Sequence, residues 1–158
     1  ITQNVDGLHQ MAGVPANRVI ELHGTDRKIH CLSCQKEYEP EPLFKVFDET
    51  QVPPDCEYCR GLLKSATVSF GQAMPEAGMK LAKQWCQAAD LFVVIGSSLV
   101  VYPAAELPEI AKSAGASLVI INRDHTPLDD IADLVFHEEC GEFFTELKTH
   151  LENIHLDD

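Results

Sequence analysis

Apolar residues are spread along the chain in three textures. Early on, short apolar pieces alternate with polar turns. "IT" at the start looks like the tail of a buried strand, and "VIELHG" at 19–24, after the 13–17 loop, predicts a strand ending in a glycine turn. Between 28 and 64 large apolar residues thin out, while four of the nine prolines and the acidic stretch "EYEPEP" fall there. From Ser65 onward the pattern is regular. "ATVSF" predicts a strand, and Met79, Ala82, Trp85, Cys86 and Ala89 recur at helical spacing behind Pro75, which suits a first-turn position. "LFVVIG" at 91–96 is a nearly all-apolar strand, and a helix over about 104–114 should stop at Gly115. "SLVIIN" at 117–122 and "DLVF" at 133–136 predict further strands, and "GEFFTELKTHL" an amphipathic closing helix.

Strands apolar on both faces and separated by helices predict a parallel sheet covered on both sides. The fold expected is therefore α/β, a Rossmann-like sheet domain over 1–27 and 65–158. Residues 28–64 read as an inserted module whose core is too thin to hold without a staple. In such sheets ligands bind beyond the carboxyl ends of the strands. The loops there are "QNVDG", "HG", "GSSLVVYPA", "NRDHT" and "HEECGE". Their small, hydroxyl-bearing and carboxamide residues suit the ribose and phosphate oxygens of a nucleotide.

Charge narrows the partners. With 25 acidic against 12 basic residues the net charge is −13, and no basic run offsets it. Phosphate backbones should be repelled, so direct nucleic-acid binding is not expected. No apolar run is long enough to span a bilayer, and no membrane contact is expected. The first thirty residues show no signal peptide, and the cysteine pattern suits a reducing compartment, with the cytoplasm as the expected setting.

"CLSC" at 31–34 and "CEYC" at 56–59 are two C-x-x-C pairs with twenty-one residues between Cys34 and Cys56. A two-residue spacer lets both thiolates of a pair face one metal, and two pairs complete a tetrahedron. Two disulfides or a redox pair are the competing readings. The thin core around the pairs favours a structural zinc on Cys31, Cys34, Cys56 and Cys59. Four sulfurs leave no position for water or substrate. His30, beside Cys31, is an alternative ligand that two complete pairs make unnecessary. Cys86 reads as a core residue of its helix, and Cys140, before Gly141, reads as structural when taken alone.

"TQNVDGLH" at 2–9 gathers Gln3, Asn4, Asp6 and His9 behind a strand end. Asp6 before Gly7 has an ordinary explanation as the cap of a short helix over 7–12, and loop Asn and Gln commonly bond to their own backbone. His23, closing "VIELHG", is either a hydrogen-bonded structural residue or a general base, a role that histidine suits.

Taken together and in this order, "TQNVDGLH", "ELHG", the paired C-x-x-C motifs, "VSFGQAMP", "GSSLVVYPA", "INRDHT" and "CGE" resemble the sirtuins, the NAD-dependent protein deacylases. The resemblance runs over about 1–142. It implies NAD at the carboxyl edge of the sheet, with Gly96, Ser97 and Ser98 near ribose and phosphate, Asn122 at the adenine ribose and the Cys140 backbone at the adenine. It places Gln3, Asn4 and Asp6 on the nicotinamide side, where Asn4 and Asp6 orient NAD and a water, and makes His23 the catalytic base. The acyl-lysine substrate, a protein or peptide, is implied to lie as a strand along "VSFG" and "LVVYP", at Val68, Phe70, Gly71, Val100 and Tyr102. Gln72 departs from the glutamate of many sirtuins, a change expected to alter peptide preference more than chemistry.

The implied reaction releases nicotinamide when the acyl-lysine oxygen attacks the ribose. His23 then draws protons from the ribose hydroxyls, and the products are free lysine and acylated ADP-ribose. Sirtuins carry a glycine-rich phosphate-binding turn and small-domain helices ahead of "TQNVDGLH". The chain thus reads as a sirtuin without its N-terminal part, and residues 1–158 alone are expected to be weakly active or inactive. Two other readings stay open. A mono-ADP-ribosyltransferase or NAD hydrolase shares every step through nicotinamide release. A noncatalytic zinc-stapled interaction module would keep the sheet as scaffold, although the presence of His23, Asn4 and Asp6 argues against it.

Overall fold

The computed structural model describes residues 1–154. Two compact units divide the chain, one of Ile1–Leu81 and one from Ala82 onward.

The first unit holds helix α1 (Leu8–Met11), strands β1 (Gly24–Cys31) and β2 (Glu37–Tyr38), helix α2 (Pro40–Thr50) and strand β3 (Leu63–Thr67). The strands form an antiparallel sheet in the order β2-β1-β3, with Ile29 opposite Tyr38 and Cys31 opposite Leu63. The strand expected at 19–24 is reduced to a single parallel bridge between Thr2 and Glu21, and regular pairing starts only at Gly24. The cause is local. The Gly24 amide closes a turn on the Glu21 carbonyl at 3.2 Å, and Gly24 sits at φ 73°, which interrupts the extended run. The strand expected at "ATVSF" lies earlier, because the chain turns again where the Gln72 amide bonds to the Ser69 carbonyl at 2.9 Å. Helix α2 is not visible in the pattern of the inserted segment. It begins at Pro40, whose missing N–H costs nothing in a first turn, and ends at Gln51 with φ 56°.

Helix α3 (Glu76–Gln87) starts behind Pro75 as its spacing predicts, and the unit boundary falls within it. Ala82 and Cys86, four residues apart, are its buried positions. The second unit then builds strand β4 (Leu91–Ile95), helix α4 (Leu107–Ser113), strands β5 (Ser117–Ile121) and β6 (Leu134–Phe136), and helix α5 (Cys140–Ile154). The three strands are parallel in the order β4-β5-β6, in register from Leu91 opposite Ser117 and from Val119 opposite Leu134. This is the Rossmann-like arrangement the apolar runs predict. Val94, Leu99, Leu118, Ile120 and Leu128 form the core, with Phe92, Ala132 and Val135 packed against it. Leu118 and Ile120 are wholly buried, whereas Leu91, Val93 and Ile95 of β4 point outward. Asp133 locks the entry to β6: its two oxygens accept the Leu118 amide at 2.7 Å and the Lys112 ammonium at 2.6 Å.

Because the strands are parallel, their carboxyl ends open on one edge, and the loops beginning at Gly96, Asn122 and His137 leave from there. Among the described residues no helix is long and apolar enough to cross a membrane.

Candidate functional site: a histidine corner, a sulfur cluster and a sheet edge

His23 is held by the backbone on both sides. The Thr2 amide donates to Ile20 O at 2.8 Å and the Leu22 amide to Thr2 O at 2.9 Å, so the chain start runs beside residues 20–22 as a short parallel ladder. Buried Leu22 anchors that ladder. It brings the Gln3 carbonyl oxygen to 2.9 Å from His23 Nδ1. A carbonyl can only accept, so Nδ1 carries the hydrogen, and the neutral ring keeps its lone pair on Nε2. From the other direction the Val68 amide donates to the His23 carbonyl at 2.8 Å. Gly24 permits this approach, since a Cβ there would lie 2.0 Å from the Ala66 carbonyl oxygen.

The expected neighbours of His23 gather along the same ladder. The Asp26 amide donates to Val5 O at 2.9 Å, which fixes residues 3–6 beside the start of β1. Asn4 is exposed, and its amide donates to Thr2 Oγ1 at 3.1 Å. Asp6 Oδ1 accepts the Leu8 amide at 3.0 Å in a local turn, while Gly7 takes the N-cap position of α1 without a side-chain cap. Gln3 contributes its carbonyl to the histidine, a contact any residue type could make.

The four cysteines of the two C-x-x-C motifs converge. Their sulfurs all lie within 4.8 Å of one another, with Cys31 to Cys59 at 3.5 Å and Cys34 to Cys56 at 3.7 Å. These distances are far too long for disulfides. They match sulfurs about 2.3 Å from a shared ion, which stand about 3.8 Å apart in a tetrahedron. The two hairpin turns are alike: Gln35 N bonds to Cys31 O at 3.0 Å and Arg60 N to Cys56 O at 2.8 Å, with Gln35 at φ 61° and Arg60 at φ 62°. The Ser33 and Cys34 amides also point at Cys31 Sγ, at 3.4 and 3.5 Å.

Two contributors here escape a reading by motif. The Tyr38 hydroxyl lies 3.0 Å from Cys56 Sγ, and Gly61 leaves room where a Cβ would come within 2.6 Å of Ser33 Oγ and 2.9 Å of Cys31 Sγ. The Tyr38 hydrogen bond brings the Cys56 thiol down to about 6. Cys59 is pushed up to about 12: the Gly61 amide favours its thiolate, but the hydrogen bonds it shares with Cys31 and Cys34 oppose it more strongly. A dication at the centre would favour the thiolate form of all four, and the donor set of four sulfurs fits zinc.

In the second unit, Gly96, Ser97, Asn122 and Cys140 meet at the carboxyl edge of the parallel sheet. Gly96 turns the chain at φ 60°, and a Cβ on it would lie 3.5 Å from Cys140 Sγ. Ser97 Oγ accepts the Leu99 amide at 3.4 Å, and Ser98 is exposed. Asn122 is buried; its amide donates to Phe136 O at 3.0 Å and its side chain to Asp124 O at 2.7 Å. Cys140 opens α5 with its sulfur 3.7 Å from Ile121 O. The positions expected to meet a peptide are surface residues for the most part. Phe70 is fully exposed, Gly71 has φ 83°, Val100 and Tyr102 are exposed, and Val68 is half-buried. Gln72 turns back to accept the Ser69 amide at 2.8 Å through Oε1.

A Rossmann-like parallel sheet together with a four-cysteine module and a backbone-held histidine defines an α/β protein with a metal-type insertion. Comparison with known proteins gives the family. The Sir2 family model matches residues 1–103, and the chain belongs to that family. An "NAD-dependent protein deacetylase" of Rhodopseudomonas palustris is 49% identical over 142 residues, which are 90% of this chain and 56% of the relative. An "NAD-dependent protein deacylase" of Aquifex aeolicus is 46% identical over 143 residues, with 89% of this chain and 56% of the relative covered. The chain thus spans little more than half the length of these curated relatives. A solved structure described as "Sir2-p53 peptide-NAD+" superposes with a TM-score of 0.88 at 41% identity, covering 94% of this chain and 60% of that one. Another, "Sir2 bound to acetylated peptide", gives 0.88 at 40% identity, covering 94% and 61%.

Proposed function

We propose that the protein to which this chain belongs is an NAD-dependent protein-lysine deacylase, and that His23 is its general base. One observation carries the assignment of the base: the Gln3 carbonyl holds the Nδ1 hydrogen of His23, so the free lone pair sits on Nε2. The relatives' names support the activity, and the neighbours' acetylated peptide and NAD support the two substrates.

In this reading NAD, when bound, supplies an electrophilic ribose carbon and nicotinamide as the leaving group. The residues of this chain bind and orient. Asn4, Asp6 and Gln3 serve the nicotinamide side, while Gly96, Ser97, Ser98, Asn122 and the Cys140 backbone serve the ribose, phosphate and adenine. The groups at the sheet edge suit that role, since Gly96 turns at a φ open to glycine and Asn122 is a buried amide at the end of a parallel strand. His23 takes a proton at Nε2 while Gln3 O keeps the ring from turning. Val68, Phe70, Gly71, Val100 and Tyr102 offer main-chain and apolar contacts to an extended acyl-lysine peptide. The four cysteines hold a structural zinc in the 28–64 module, which stays outside the chemistry because four sulfurs leave no open position. The free cysteines support a reducing compartment such as the cytoplasm as the protein's setting.

The test is nicotinamide release by the full-length protein, with and without an acyl-lysine peptide, in wild type and His23→Ala. Peptide-dependent release that falls about 10²- to 10⁴-fold in the variant is expected. Release that ignores the peptide would assign NAD hydrolysis or ADP-ribosyl transfer instead, and no release in wild type would leave a noncatalytic zinc-stapled module.

A further inference from the structure

A second group of metal-ligating side chains lies in the second unit, apart from the four cysteines in sequence and in chemistry. His125 and Asp129 come from the loop after β5, and His137 follows β6 directly. His125 Nδ1 stands 3.1 Å and His137 Nε2 3.3 Å from the same oxygen, Asp129 Oδ2, and the three ligand atoms lie within 4.8 Å of one another. Nitrogen and oxygen ligands about 2.0–2.1 Å from a tetrahedral ion stand about 3.4 Å apart, so two of the three edges already have that length. The third edge, between the two imidazole nitrogens, is no longer than 4.8 Å.

The outer contacts are those that support ligands. His137 Nδ1 lies 3.2 Å from the Asn122 carbonyl oxygen. That oxygen only accepts, so Nδ1 carries the hydrogen and Nε2 is the ring nitrogen that faces Asp129. Ligating histidines commonly donate their second ring hydrogen to a carbonyl in this way. Asp129 is braced as well, since Oδ1 accepts the hydroxyl of buried Thr126 at 2.6 Å.

We propose that His125, Asp129 and His137 form a three-ligand site for a first-row divalent transition metal of the zinc class, with an open coordination position toward solvent. Two imidazoles and one carboxylate suit zinc, cobalt or nickel, whereas magnesium and calcium demand oxygen ligands. An ion here ties the loops after β5 and β6 together. Through Asn122 it stiffens the edge at which the adenine ribose is proposed to bind.

The experiment uses full-length protein, freed of any affinity tag and with its four-sulfur site filled by zinc. It is titrated with Co²⁺, followed by visible absorption, and with Zn²⁺, followed by calorimetry. One further equivalent is expected, with a cobalt spectrum that lacks the strong thiolate charge-transfer band. His125→Ala, at an exposed position, should weaken that uptake about tenfold or more without moving the thermal midpoint of the protein before metal addition. Asp129→Asn should weaken it by at least as much. No second equivalent, or a second equivalent bound equally well by His125→Ala and His137→Gln, would overturn the site and leave an ordinary histidine–carboxylate pair.

Discussion

His23 owes its ring orientation to a neighbour that no motif reveals. The sequence singles out the histidine, yet the group that fixes its tautomer is the main-chain oxygen of Gln3, and a backbone carbonyl has no residue signature. Gly24 is similar in kind, because the reason for the glycine is the Ala66 carbonyl across the strand pair. Gly24→Ala should therefore destabilise the first unit by about 1–3 kcal/mol through overpacking and strain, and urea unfolding will show it. An unchanged unfolding midpoint would mean that β3 gives way freely.

Asp133 offers a prediction that depends on pH. The Lys112 hydrogen bond, followed by that of the Leu118 amide, holds its carboxyl below the usual range. A carboxyl depressed on folding stabilises above its unfolded value of about 3.9, and that contribution is lost as pH falls through the folded value. Asp133→Asn should thus lower the melting temperature at pH 7, and its deficit against wild type should shrink as pH drops below about 4. A deficit constant from neutral to acid pH would assign the loss to shape alone. His125 and His137, by contrast, are readable only as loop residues. The chain between them hides the pairing that the parallel strand ends create.

Among the elements, legibility follows burial. The strand at 117–121 and the helix over 76–87 appear where the apolar spacing puts them, because there the sequence pattern and the packing ask for the same thing; the strand at 91–95 forms as well, although Leu91, Val93 and Ile95 point outward. Leu118→Ala should accordingly cost about 2–5 kcal/mol, the range for a fully enclosed aliphatic side chain. The first unit is harder to read. Its 19–24 segment has strand composition but is cut short by the Gly24 turn, and α2 hides behind two prolines and an acidic stretch. What organises that segment is the sulfur cluster, whose spacing is plain, together with Tyr38 and Gly61, whose roles arise only once the two knuckles meet. Chelation should unfold 28–64 while α3 and the parallel sheet keep their circular dichroism. Gly61→Ala should loosen zinc retention by at least about tenfold in competition with a chromophoric chelator, since its Cβ collides with both Ser33 and Cys31. Retention at the wild-type level would show that Ser33 moves aside without disturbing the ligands.

Taken as a unit of function, the chain joins a strongly acidic surface to a family fold and spans little more than half the length of its curated relatives. Family and fold are legible because the short motifs keep their order; the roles of individual residues rest on proposals that product chemistry can decide. The most direct measurement is the product balance of the full-length protein acting on NAD and an acyl-lysine peptide, read by mass spectrometry. One nicotinamide and one acylated ADP-ribose for each lysine freed is the expected result. Free ADP-ribose or ADP-ribosylated protein in place of the acylated product, with the lysine still acylated, would contradict deacylation.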